Sequence, residues 1–249
     1  MPKESGRPVL TAEELAGQVR GEMIPLGRNF SYFSIVPMAE EDLKQYGEEP
    51  LAALPPAICA QLPHTELVLV PFLEKGNGRS EDKVRFERPP ASRQIYVSKV
   101  RTGETTTLLF GIKDEEVADY HFTLYNALAG LIADSAGAEV LEPYYRQLRE
   151  ELAAEVHGEV DEGSWRLKQA LIRRAINARR ESKQFRDYAR KSLEDTLTLY
   201  LHGICCDIDV EPGPRQLPSR YLRKRLELMI QLFAPPNGYQ VLPDQAKRR

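Results

Sequence analysis

The spacing of apolar and polar residues divides the chain into an early segment typical of β-strands and a later segment typical of helices. From Phe30 to Ile112, short apolar or alternating runs are separated by turn residues, and Arg101-Thr102-Gly103-Glu104 indicates a hairpin turn. After Lys113, apolar residues recur every three to four positions, which is the period of an amphipathic helix. These patterns predict an α+β fold, with an antiparallel sheet over about residues 30–112 and a mainly helical C-terminal half.

Three of the predicted helices carry additional local signals. Thr11 and Glu14 have the spacing of a capping box ahead of a short first helix. The apolar stripe from Tyr120 to Ala133 predicts a buried helix that covers the sheet, too short for the roughly twenty residues of a membrane span. On this stripe we expect His121 to be buried and hydrogen-bonded to a backbone or carboxylate acceptor. A last helix is predicted from Ser219 to Phe233.

The longest helical pattern extends from Trp165 to about Leu201. At 1.5 Å per residue, an unbroken helix of this extent would be about 55 Å long, whereas a compact globule of this chain length is roughly 45 Å across. The pattern therefore predicts either a break, around Glu181 to Gln184, or a projecting helix that packs against a second chain in a homo-oligomer.

Composition excludes disordered and collagen-like chains, because 42% of the residues are hydrophobic and 29% are charged. Cys59, Cys205 and Cys206 are too few and too irregularly spaced for a disulfide framework, so we expect reduced thiols. The first twenty residues contain no apolar run typical of a secretory signal. We therefore expect a cytoplasmic protein with no membrane partner.

Charge changes along the chain, although 34 Lys and Arg against 37 Asp and Glu leave a net charge of only −3. Residues 1–164 hold 16 basic and 28 acidic side chains, whereas residues 165–249 hold 18 and 9. This shift predicts an acidic α+β part over residues 1–157 and a basic helical part over residues 164–249, separated by a polar, glycine-containing segment. One continuous domain is the alternative.

The basic residues after Trp165 give the strongest functional signal, since residues 165–191 hold ten basic and two acidic side chains. Clustered Lys and Arg on an exposed face attract acidic partners. We therefore expect a non-catalytic interaction protein whose basic half binds an acidic protein surface or a second copy of the chain. The candidate binding residues are Arg166, Arg173, Arg180, Lys191, Arg223 and Lys224.

Internal neutralisation would also explain the charge shift. Glu150, Glu151 and Glu155 are predicted on the outer side of a helix from Tyr144 to Val156. If these carboxylates contact the arginines of the same chain, the opposite charges stabilise the fold and leave nothing for a partner.

Two further functions are compatible with the sequence. Nucleic-acid binding through phosphate contacts stays open, although few aromatic residues lie among the basic ones and stacking on single strands is not indicated. His202, Asp207 and Asp209 offer imidazole and carboxylate ligands for a divalent metal, which would suit a hydrolase acting on an anionic substrate. A second ligand cluster and nucleophile motifs are both absent from the sequence, so the favoured interpretation includes no cofactor.

Overall fold

The computed structural model describes residues 10–27, 29–77, 81–173, 181–205 and 215–241. These residues pack as two compact units, the first drawn from Met1–Glu49 and Leu62–Thr123, and the second from Pro50–Gln61 and Leu124–Arg249. The segment between residues 157 and 164, predicted as a domain boundary, lies within the second unit.

Eight strands lie in the first unit, among the residues that the structure describes. In chain order they are β1 (Ile24–Gly27), β2 (Phe30–Ser34), β3 (His64–Val70), β4 (Phe72–Glu74), β5 (Lys83–Arg85), β6 (Gln94–Ile95), β7 (Val97–Thr102) and β8 (Thr105–Gly111). They form a five-stranded sheet in the order β1-β2-β3-β8-β7 and a three-stranded antiparallel sheet in the order β5-β4-β6.

The α+β class is confirmed, and the larger sheet is mixed where a wholly antiparallel one is predicted. The pairs β1–β2 and β7–β8 are antiparallel, and the turn that contains Gly103 links β7 to β8. The strands β2, β3 and β8 run parallel to one another. Parallel neighbours need long connections, and here short helices separate β2 from β3 while the smaller sheet separates β3 from β8. Alternation within a strand does not report the direction of its neighbour, so the sequence pattern could not reveal this.

Helices account for most of the remaining described residues. They are α1 (Ala12–Val19), α2 (Glu40–Leu43), α3 (Glu49–Ala52), α4 (Pro56–Gln61), α5 (Val117–Ser135), α6 (Ala138–Ala153), α7 (Glu162–Arg173), α8 (Lys183–Cys205) and α9 (Ser219–Leu232). The pattern from Trp165 to Leu201 is therefore divided between α7 and α8, and Glu181 and Ser182, in the predicted break, are not helical. None of the described helices combines the length and the apolar character needed to cross a bilayer.

The core of the first unit lies between α1 and one face of the larger sheet. Leu15 and Val19 of α1 pack with Val68 of β3 and Leu109 of β8, and all four side chains are buried. Because these residues recur at helical spacing on α1 and at every second position on the strands, each element contributes one apolar face.

The first turns of α5 are fixed to the π-helical turn Lys44–Glu48 by two side chains. Tyr120 donates its hydroxyl proton to the carbonyl oxygen of Tyr46 at 2.7 Å, and Nε2 of His121 lies 2.8 Å from the carbonyl oxygen of Gln45. His121 is buried, so the prediction of a core histidine hydrogen-bonded to the backbone is confirmed.

The capping residue Thr11 at the N-terminus of α1 allows a test of how this helix stabilises the first unit. The backbone N–H of Glu14 donates to Oγ1 of Thr11 at 3.2 Å, and the N–H of Thr11 donates to Oε2 of Glu14 at 2.9 Å. We expect Thr11→Ala to lower the free energy of unfolding by about 1 kcal/mol, because it removes the acceptor that caps the helix. Urea unfolding measures this difference. Thr11→Ser keeps the hydroxyl and should stay close to wild type; an equal loss in both variants would contradict the capping role.

Candidate functional site

Two of the predicted binding residues, Arg166 and Lys191, are paired with carboxylates within the second unit. Arg166 donates to Oε1 of Glu162 at 2.9 Å on α7. On α8, Nζ of Lys191 lies 2.8 Å from Oε1 of Glu194 and 2.8 Å from Oδ1 of Asp195. For Lys191, internal neutralisation therefore accounts for the charge.

Other predicted residues have no carboxylate within ion-pair distance in the described part of the chain. Arg173 is exposed, and its Nε donates to the carbonyl oxygen of Gln169 at 3.3 Å. On α9, Arg223 is half-buried and Lys224 is exposed. Arg180 lies outside the described residues.

Five cations lie on α7, on the segment that precedes α9 and on the first turns of α9. We call Arg166, Arg215, Arg220, Arg223 and Lys224 the basic surface. Arg215 lies 3.6 Å from Oε1 of Glu162, the same oxygen that Arg166 contacts. Within the described ranges, Glu162 is the only carboxylate that forms an ion pair with any of these five side chains. The basic surface therefore carries a clear excess of positive charge.

Aromatic rings support three of these cations. The guanidinium carbon of Arg215 lies 4.7 Å from the centroid of the Trp165 ring. On α9, Arg220 and Lys224 lie 4.7 Å and 5.8 Å from the centroid of the Tyr221 ring. Such cation–π contacts hold the charged groups against a flat surface and leave the edge of the guanidinium free to donate hydrogen bonds.

The next residue of α9, Arg225, is fully buried and anchors this helix. Its Nε donates to Oε1 of Glu151 at 3.0 Å and its Nη2 to Oε2 of the same carboxylate at 2.5 Å. Nη1 donates to Oε2 of Glu159 and to Oγ of Ser192, both at 2.8 Å. A guanidinium removed from water is tolerated when its donors find acceptors in this way, so α9 is fixed against α6 and α8.

Glu159 holds the other side of this buried network. Its carboxylate accepts from Nζ of Lys168 at 3.1 Å and from the hydroxyl of Tyr188 at 2.5 Å, in addition to Arg225. Burial raises the pKa of Glu159, but the attraction and hydrogen bonds of Arg225 together with the charge of Lys168 outweigh burial and bring this pKa down to about 2. Glu159 is therefore ionised at neutral pH.

The backbone of Glu159 also fixes the segment that precedes α9. Its N–H donates to the carbonyl oxygen of Arg215 at 3.0 Å, and its carbonyl oxygen accepts from the N–H of Leu217 at 2.9 Å. At Gly158 the two segments approach so closely that an added Cβ would lie 2.0 Å from the carbonyl oxygen of Gln216. Arg215 is thereby held at the basic surface by the residue that also binds Arg225.

The placement of Glu151 on the outer side of its helix is wrong, because Glu151 is fully buried beside Arg225. Arg225 and Lys168 are not among the residues predicted from the sequence either. A signal was present: Glu151 continues the buried stripe of Tyr144 and Leu148 on α6, and Arg225 has helical spacing to Met229. A charged residue on an apolar stripe indicates burial with a partner of opposite charge.

This network has the properties of a scaffold. Arg225, Glu151 and Lys168 are each fully buried, and Glu159 is 1% exposed. Its two cations and two carboxylates balance, and each of the four charged groups has a hydrogen-bond partner. Because a substrate could not reach these atoms without opening the core, we assign them to positioning α9 and Arg215.

The metal-site prediction is only partly within the described residues. His202 is half-buried in the last turn of α8, and its ring centroid lies 6.4 Å from that of Tyr125. Asp207 and Asp209 lie outside the residues described. Elsewhere in the described ranges, no three His, Cys, Asp or Glu side chains are grouped as metal ligands would be. A divalent metal held by these three residues stays a prediction.

Comparison with known proteins identifies no relative: no protein-family model matches the chain, and no curated protein or solved structure matches it. The function has to be argued from the second unit itself.

Removing the guanidinium group of Arg225 tests whether the buried network stabilises the second unit. We expect Arg225→Met to lower the free energy of unfolding by about 3–5 kcal/mol, because two buried carboxylates lose their main counter-charge. Arg166→Met is the matched control; it removes an exposed ion pair and should change stability by less than about 1 kcal/mol. Urea unfolding followed by circular dichroism measures both. Equal effects would contradict the central role of Arg225.

The ionisation of Glu159 predicts a specific dependence on pH. Its pKa in the folded chain is about 2, below the ordinary value of 4.5, so it stabilises the fold fully above pH 4.5 and progressively less as pH falls toward 2. We expect this group to contribute about 3 kcal/mol to the loss of stability over that interval. Glu159→Gln should therefore show a shallower dependence between pH 5 and pH 2.5 in urea unfolding. An unchanged slope would contradict the lowered pKa.

Proposed function

We propose that this chain is a non-catalytic interaction protein that binds an acidic protein partner through the basic surface. The observation that carries the proposal is the excess of cations on the basic surface: in the described ranges Arg166 and Arg215 share the carboxylate of Glu162, and Arg220, Arg223 and Lys224 form no ion pair. Cations that outnumber the carboxylates paired with them attract further carboxylates and accelerate encounter with an acidic surface.

The rigidity of the basic surface supports this proposal. Arg225 anchors α9 immediately beside Lys224, and the backbone of Glu159 holds Arg215. Cations that are positioned before binding lose less conformational entropy when a partner arrives. Arginine is also suited to paired hydrogen bonds with carboxylates because its donors form a planar fork.

Two features favour an acidic protein over a nucleic acid. Glu162 lies within the basic surface and Glu227 is exposed one turn further along α9, and both would repel a continuous run of phosphates. The Trp165 and Tyr221 rings carry Arg215 and Arg220 on their faces, where bases would otherwise stack. A protein can place its carboxylates between such acidic positions.

Charge reversal of exposed Arg220 and half-buried Arg223 tests the proposal. We expect the wild-type chain to bind a fluorescein-labelled poly-glutamate peptide at about 50 mM salt, with affinity that falls as salt rises. Arg220→Glu combined with Arg223→Glu should weaken this binding at least about tenfold, because two attractive contacts become repulsive. Fluorescence anisotropy measures the affinity.

The matched control is Arg20→Glu combined with Arg101→Glu, which changes net charge equally at exposed positions of the first unit. It should leave binding within about twofold of wild type. An equal loss in both variants would show that net charge alone governs binding and would contradict the proposal. Tighter binding of a DNA duplex, lost on substitution of Arg220 and Arg223, would favour the nucleic-acid interpretation instead.

A further inference from the structure

The outer side of α6 forms a ridge between two grooves. Arg146 and Glu150 are exposed, lie one helical turn apart and line both grooves. The groove toward Glu181 has a volume of about 490 Å³, and the groove toward α9 has a volume of about 380 Å³.

Within the described residues, Arg146 and Glu150 form no ion pair, although their spacing would allow one. This contrasts with Arg149 on the adjacent side of α6, whose Nη2 lies 3.1 Å from Oε1 of Glu181 and whose guanidinium carbon lies 5.1 Å from the Phe185 ring. One basic and one acidic group therefore face outward side by side.

Opposite charges separated by four residues on one helix face are self-complementary. A two-fold axis perpendicular to α6, midway between these two positions, aligns the α6 helices of two copies antiparallel. It brings Arg146 of each copy opposite Glu150 of the other, so two ion pairs form at once. The same axis places Ala153 opposite Pro143, and these small side chains permit close approach of the helices.

We propose that the Arg146–Glu150 ridge of α6 is a self-association surface through which two copies of this chain form a two-fold symmetric dimer. This inference concerns different residues from the proposed acidic-partner site, because neither Arg146 nor Glu150 belongs to the basic surface, although Lys224 of that surface lines the groove toward α9. It also differs from the projecting helix that would have required a second chain, since that pattern is divided between α7 and α8.

Charge reversal gives a test that distinguishes this pairing from general changes in charge. Arg146→Glu alone and Glu150→Arg alone each place like charges opposite one another, and each should raise the dimer dissociation constant at least about tenfold. The double variant, with Arg146→Glu and Glu150→Arg, restores both pairs in reversed order and should return to within about threefold of wild type. Sedimentation velocity over a concentration series measures these constants.

Mixing the two single variants provides a second readout. Two copies of the same single variant repel each other. The Arg146→Glu variant carries two acidic groups on the ridge, whereas the Glu150→Arg variant carries two basic groups. The mixture should therefore form a heterodimer, and Arg101→Glu in the first unit should leave dimerisation unchanged. Wild-type protein that stays monomeric at about 1 mM, or a mixture that stays monomeric, would overturn the proposal.

The two proposals fail separately. Arg146→Glu should keep its affinity for the poly-glutamate peptide, whereas Arg220→Glu with Arg223→Glu should keep the wild-type dimer dissociation constant. A dimer lost in both variants would show that association depends on overall charge, which would contradict a dimer specified by the ridge.

Discussion

The burial of the Glu159 carboxylate is the constraint on which the second unit depends. A carboxylate removed from water is unstable unless several groups compensate for it. Here Lys168 of α7, Tyr188 of α8 and Arg225 of α9 all contact it, and Glu151 of α6 completes the charge balance through Arg225. Because a partial set would leave a charge without its partner, the four helices must be in place together, which favours one arrangement over near alternatives.

The uneven charge of the sequence therefore has more than one physical role. Some cations of the basic half, such as Arg225, hold the core; others, such as Lys191, pair at the surface with carboxylates of the same helix. Some cations are therefore neutralised within the chain, and other cations are exposed at the surface. Position relative to the apolar stripes separates the buried cations from the others: Arg225 lies on a stripe and is buried with carboxylates, whereas cations between stripes lie at the surface.

Local order was predictable where it depends on neighbouring residues. The capping box of Thr11 and the buried His121 follow from spacing within one segment, and the interruption near Glu181 is one of the two outcomes that the length of a single helical pattern predicts. The parallel direction of β3 relative to β2, and the pairing of Glu151 with Arg225 across 74 positions, depend on residues far apart in sequence and were not predictable. The basic surface was predicted in part: Arg166, Arg223 and Lys224 belong to it, whereas Arg215 and Arg220 emerge only when the rings beneath them are seen.

Gly158 shows how a residue without a functional group can govern the placement of charge. The crossing of its backbone over Gln216 leaves no space for even a methyl group, and only that close crossing allows Glu159 to reach both Arg215 and Leu217 through its main chain. The absence of a side chain at Gly158 thus determines where the guanidinium group of Arg215 lies at the surface. The positive charge of the basic surface therefore depends in part on the space around the Cα atom of Gly158, which only glycine fits.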